Sequence, residues 1–185
     1  MANELQQFDE AFISVDIETA GPIPAKYSML SLGACLVENP AVNFYAELKP
    51  VNKNSDPKAL EVSGFSLETL EKSGEEPRDA LTRFSEWVRT ASKGRPAVFV
   101  GFNAAFDWSI VNWYFHTYIG ENPFGFAPLD IKAYFMGLSG CSWSETKSSR
   151  LPPEYQIRPQ KAHNALSDAQ AQGAAFIKML HARRG

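Results

Sequence analysis

Residues 12–19 read FISVDIET. Phe12, Ile13, Val15 and Ile17 have the composition of a strand with both faces covered, yet Asp16 and Glu18 interrupt the run. Side chains two apart on a strand point to the same face. Two carboxylates converging in apolar surroundings repel each other unless a cation or a proton lies between them. The bland alternative is a strand end with both acids in water.

Residues 1–10 before this stretch are polar and are expected to be a flexible lead-in. After it, TAGPIPAKYS (19–28) has the Gly and Pro punctuation of a loop. MLSLGACLVE (29–38) and VNFYAELKP (42–50) read as two more strands, joined at Asn39-Pro40, which gives an antiparallel meander. The segment 57–72 predicts one or two short helices broken at Ser63-Gly64. Glu76-Pro77 opens a longer helix with Leu81, Phe84, Val88 and Ala91 at helical spacing, ended by Gly94. AVFVGF (97–102) is a continuous apolar run and reads as a buried strand, followed by a helix over 104–119. Residues 128–137 predict a shorter strand or helix. The Ser-, Pro- and Lys/Arg-rich segment 139–162 lacks periodicity and reads as a long loop. A last helix runs from about Asn164 to His181. These elements predict an α/β domain with a mixed sheet, and 185 residues suit one such domain.

Two further sites carry acids in telling places. Asp107 sits early in the helix that follows the apolar strand, with Asn103 as its expected N-cap. His163 precedes the last helix, and Asp168 lies in its opening turns. Each has an ordinary reading: helix N-termini favour acids, and a histidine near a cap is commonly a surface residue. The combination is what points to a cation site.

The net charge of −3 argues against a protein that coats nucleic acid electrostatically, but not against one that holds a few phosphates through metal ions. No stretch is long and apolar enough to span a membrane, and the first residues lack the features of a secretory signal. Cys35 and Cys141 are the only cysteines, in an apolar run and a Ser/Gly loop, so a reducing cytoplasm is the expected location.

Taken in order, VDIETAG (15–21), FVGFNAAFD (99–107) and HNALSDAQ (163–170) resemble the motifs of the DEDD exonuclease superfamily. The four residues between His163 and Asp168 resemble the spacing of its histidine branch, DEDDh, which includes the proofreading subunit of bacterial DNA polymerase III and ribonuclease T. PKALEVSGFSLETL (57–70) is similar to the family's segment between the third strand and the next helix. The resemblance implies a ribonuclease-H-like fold, a five-stranded mixed sheet flanked by helices. It implies a metal-dependent 3′→5′ exonuclease that releases nucleoside 5′-monophosphates from single-stranded 3′ ends of DNA or RNA. Asp16, Glu18 and Asp168 would hold one Mg²⁺ or Mn²⁺ ion, Asp16 and Asp107 would serve a second, and His163 would be the general base. Thr19, Phe65, Phe102 and Asn103 are the expected substrate contacts, with Phe65 against the terminal base.

The chain departs from the family pattern in two places. Phe102 stands where a histidine is usual. The segment 139–162, with Lys147, Arg150, Arg158 and Lys161, replaces a helix and reads either as a solvated loop or as a basic lid over the nucleic-acid backbone. Two rival functions fit the sequence less well. A catalytically silent nucleic-acid-binding relative is disfavoured because all five motif residues are present. A flavodoxin-like phosphate binder would need a Gly-rich strand–helix loop, which ETAGPIPA does not supply. A homodimer is compatible with the sequence.

Overall fold

The computed structural model describes residues 8–161 and 163–182. At its centre is β1 (Ala11–Thr19), flanked by β2 (Met29–Leu36) and, beyond it, β3 (Asn39–Glu47). On the other side of β1 lie β4 (Ala97–Gly101) and the two-residue β5 (Leu129–Asp130). The order is β3-β2-β1-β4-β5. The meander pairs antiparallel, whereas β1 with β4 and β4 with β5 pair parallel. This is the five-stranded mixed sheet that the family resemblance implies.

Because β1 is central, both of its faces are covered. Ile13, Val15 and Ile17 belong to one core with α3 (Pro77–Ser92) and α4 (Ala105–Tyr118). Phe84 lies at the middle of that layer, wholly buried, with its ring beside those of Phe44, Trp87, Phe115 and Phe124. Burying one such side chain contributes roughly 1.5–3 kcal/mol. Phe12, on the alternate register, packs edge-on against Phe176 of α6 (Ala165–Ala182) in a second core that includes Ile131 and Phe135 of α5 (Ile131–Ser139). Asp16 and Glu18 share the register of Phe12 and Ser14, so they meet α6 where the apolar packing ends.

Several boundaries differ from the sequence reading. Leu36 pairs with Asn39, so the β2–β3 turn is Val37-Glu38 and not Asn39-Pro40. Pro40 is accommodated inside β3 because that strand is a sheet edge and has no neighbour on one side to receive an N–H. α3 is stopped by Lys93, in the left-handed region at φ 51°, one residue before Gly94. Residues 128–137, read as strand or helix, supply both β5 and α5. The two short helices are α1 (Pro57–Ser63) and α2 (Leu67–Ser73), capped by Asp56 and Ser66 and separated at Gly64 with φ 69°.

The segment after α5 folds into three 3₁₀ turns, Trp143–Thr146, Ser148–Arg150 and Pro153–Tyr155, with Thr146 and Leu151 buried beneath them. Of the predicted lead-in, residues 1–7 lie outside the described residues, while Phe8 is buried with its ring 5.5 Å from that of Phe12. Among the described residues no helix is long and apolar enough to cross a membrane.

Candidate active site

The two central parallel strands, β1 and β4, end at the same edge of the sheet. Here β1 presents Asp16 and Glu18, the first turn of α4 presents Asp107, and α6 presents Asp168. Oxygens of Asp16, Glu18 and Asp168 all lie within 4.8 Å of one another. Asp107 stands apart from that trio, 6 % exposed, with Oδ1 accepting from the backbone N–H of Ile17 at 3.2 Å. His163 closes the rim, exposed and left-handed at φ 57°. The four acids and His163 line an open cleft of about 290 Å³ together with Phe102, Asn103 and Phe106.

A backbone contact decides how α6 reaches this position. Asp16 is paired across the sheet with Gly33 of β2. A Cβ at Gly33 would lie 2.1 Å from the backbone nitrogen of Leu166 and 2.2 Å from the carbonyl carbon of Ala165. The first turn of α6 therefore rests directly on the β2 backbone beside Asp16, which is the close approach that a glycine inside a strand permits. Asn164 caps the helix: its Oδ1 accepts from Ser167 N at 3.1 Å, while Asp168 Oδ2 accepts from Asn164 N at 3.1 Å. His163 contributes its backbone N–H to the Asp168 carboxylate, as Asn164 does, while its side chain stands exposed one residue before the cap.

Buried side chains then lock three segments together. Gln172, one turn after Asp168, donates to Val15 O at 2.8 Å and accepts from Phe102 N at 2.6 Å. Ser14 Oγ donates to Ala169 O at 2.7 Å. Asp130 accepts from Ala104 N at 2.7 Å and from Ala133 N at 2.8 Å, so it both caps α5 and holds the start of α4. Asn103 is not the side-chain cap its position suggests. It is left-handed at φ 66°, its carbonyl accepts from Phe106 N, and its Oδ1 faces Lys132 Nζ at 3.5 Å. Thr19 is buried at the end of β1, and Phe65 is half-buried against Ala20, Leu30 and Leu70. Neither is among the residues lining the cleft. Gly33, Gln172 and Asp130 were not singled out in the sequence. The signals were a glycine inside a strand, a glutamine four residues after a site acid, and an aspartate just before a helix.

The electrostatics follow from burial and crowding. Burial raises the Asp16 carboxyl well above the usual range, and Asp107, Asp168 and Glu18 raise it further. Glu18 is pushed up to about 7, by burial and then by Asp168, against a lowering effect of His163. Asp107 is also pushed up to about 7, chiefly by burial, although the Ile17 N–H opposes the shift. Asp168 is raised by burial, with the Asn164 N–H and His163 opposing. Burial and mutual repulsion thus favour the protonated forms of these carboxyls, the imbalance that a divalent cation among them would reverse.

The exonuclease family model called RNase_T matches residues 13–176. The chain belongs to this exonuclease family. It is 49 % identical over 168 residues to the 3′-5′ DNA exonuclease Cap18 of Escherichia coli, covering 90 % of each chain. Its fold matches the nuclease domain of 3′hExo, a DEDDh family member solved bound to rAMP, with a TM-score of 0.75, 13 % identity and coverage of 93 % and 92 %. It also matches E. coli exonuclease I in complex with a dT13 oligonucleotide, with a TM-score of 0.69 and 18 % identity, over 92 % of this chain and 40 % of that one. The ribonuclease-H-like fold and the exonuclease family implied by the three motifs are both borne out.

The contact at Gly33 gives this exonuclease a sharp test. Gly33→Ala must lift the first turn of α6 and with it Asp168, and a displacement near 1 Å at a reacting centre costs about 10²-fold in rate. Gly137→Ala, inside α5 with open space around its missing Cβ, should instead stabilise by roughly 0.5–1 kcal/mol and leave the rate alone. Initial rates measured beside thermal melts check both, and a Gly33→Ala enzyme of normal rate and stability would contradict the close approach.

Proposed function

We propose that the chain is a metal-dependent 3′→5′ exonuclease that releases nucleoside 5′-monophosphates from single-stranded 3′ ends, with DNA ahead of RNA as substrate. The observation that carries this reading is the trio of carboxylates within 4.8 Å, crowded enough to raise one another's proton affinity. An all-oxygen, all-acidic donor set fits hard divalent cations such as Mg²⁺ or Mn²⁺. Asp16, Glu18 and Asp168 would hold one ion, and Asp16 and Asp107 would serve a second. When bound, such ions supply charge neutralisation at the scissile phosphate and an acidified water.

The remaining steps belong to the chain's own groups. His163, exposed in the lining of the cleft, takes the proton from the attacking water. Asn103 and Phe102 bound the side on which the terminal nucleotide sits. Thr19, the last residue of β1, and Phe65, packed on Ala20, Leu30 and Leu70, are the further substrate contacts of this reading, with Phe65 against the terminal base. The DNA preference rests on the likeness to Cap18, and the single-stranded substrate on the likeness to a nuclease solved with dT13. Both cysteines are free thiols, Cys35 buried with its thiol pushed up to about 12, which suits a reducing compartment such as the cytoplasm.

The test uses 5′-labelled strands with Mg²⁺ or Mn²⁺. A linear single strand of DNA should shorten one nucleotide at a time from its 3′ end and release 5′-monophosphates. The same strand ending in a 3′-phosphate should be degraded slowly, and a circular strand not at all. Cutting of the circle would show an endonuclease and overturn the proposal.

A further inference from the structure

We propose that Trp143 and Lys132 form a second nucleotide subsite beside the cleft, which takes the nucleotides 5′ to the one being removed. This rests on the reading of the cleft as the place where a single-stranded 3′ end binds. Trp143 is 51 % exposed, an unusual place for the largest apolar side chain. It is nonetheless held firmly. Ser142 and Glu145 form a reciprocal capping box around its turn, Thr146 Oγ1 donates to Trp143 O at 2.8 Å, and Arg150 Nη1 donates to Ser144 O at 3.3 Å. The turn presents the indole rather than letting it collapse inward.

Lys132, from the first turn of α5, connects this ring to the cleft. Its Nζ lies 4.3 Å from the Trp143 ring centroid and 3.5 Å from Asn103 Oδ1, which belongs to the cleft wall. Among the described residues Lys132 makes no ion pair. An ammonium with N–H donors to spare, next to an exposed ring, matches a phosphate followed by a base. A base stacks on an aromatic face whatever its identity, and the cation meets the backbone that links it to the next nucleotide. The spatial order is then cleft acids, Asn103, Lys132, Trp143. A strand whose 3′ nucleotide sits at the acids must pass Lys132 before its upstream base reaches the indole. The sequence therefore carries in its 3₁₀ segment a grip on the strand that the acids alone do not supply.

Two readouts test this. The first is kinetic, on a deoxythymidine dodecamer and on the p-nitrophenyl ester of thymidine 5′-monophosphate, which has no upstream nucleotide. Trp143→Ala should lower the ratio of kcat/KM for the dodecamer to that for the ester by about 10- to 100-fold, with the loss in KM and largely recovered in Trp143→Phe. The second is binding of the labelled dodecamer by Asp16→Asn protein, where cleavage plays no part. Adding Trp143→Ala should raise Kd by a similar factor. Adding Lys132→Gln should flatten the slope of log Kd against log salt by about 0.7, the value of one phosphate contact on a single strand. An unchanged ratio, or equal losses on dodecamer and ester, overturns the subsite, as does an unchanged Kd in the Asp16→Asn background. If the wild-type chain cleaves neither substrate while Trp143→Ala still weakens binding, the subsite stands and the hydrolytic reading falls.

Discussion

Asp16→Asn should abolish hydrolysis, remove the thermal stabilisation by divalent cations, and at pH 8 yield a metal-free protein more stable than wild type. The three effects have one cause. Asp16 is buried among Asp107, Asp168 and Glu18, and the same charges that would hold a cation repel each other without it. The carboxyls of Glu18 and Asp107, ordinarily near 4, are pushed up to about 7 in the folded chain. Below about pH 4 these groups are protonated in both folded and unfolded states and cost nothing. As pH rises from there through about 7, the unfolded chain gives up its protons first, so the folded state loses stability over that window. Above it the penalty is complete. A bound divalent cation removes the penalty, so its stabilising effect should be small at pH 5 and large at pH 8. At a hundredfold excess over its Kd a ligand contributes about 2.7 kcal/mol, a rise of roughly 5–10 °C in Tm for a chain of this size. Thermal melts of wild type and Asp16→Asn, with and without Mn²⁺ at both pH values, check this. A wild-type Tm that ignores the cation at pH 8 would contradict it.

His163→Ala should lower kcat by about 10²–10⁴-fold, with KM, cation affinity and Tm close to wild type. A general base acts in the transition state and not in ground-state binding, so the loss belongs in kcat. The structure removes the competing explanation, in which His163 caps the last helix, because Asn164 performs that task through Ser167 N. Backbone strain is the remaining confounder, since His163 is left-handed at φ 57°. His163→Asn controls for it, because asparagine tolerates that conformation. Single-turnover rates for both variants should fall together. A near-normal rate in either one would take the proton-accepting role away from His163.

What could be read in advance was whatever depends on local spacing. Asp16 and Glu18 share a strand face by period two, Asp107 follows an apolar strand into a helix, and Asp168 is four residues beyond the cap at Asn164. Each of these placements is fixed within a few residues of sequence, and the structure brings all four acids to one edge of the sheet. What escaped depends on contacts across the chain. Gly33 matters only because α6, more than a hundred residues later, lies on it. Asp130 does at the start of α4 what Asn103 was expected to do, and nothing near Asn103 in the sequence shows that β5 ends beside it. Asn39-Pro40 has the composition of a turn but lies inside β3, because an edge strand accepts the proline. Trp143 sits in a segment whose composition reads as loop, and its value appears only when Lys132 is seen reaching from α5 to both the ring and the cleft.

Whether these acids hold a divalent cation is read from anomalous diffraction by crystals of the wild-type chain grown with Mn²⁺. A strong anomalous peak is expected within coordination distance of the carboxylates of Asp16, Glu18 and Asp168, absent from Asp16→Asn crystals grown in the same way. A wild-type map with no peak among those three carboxylates at millimolar Mn²⁺ would contradict it.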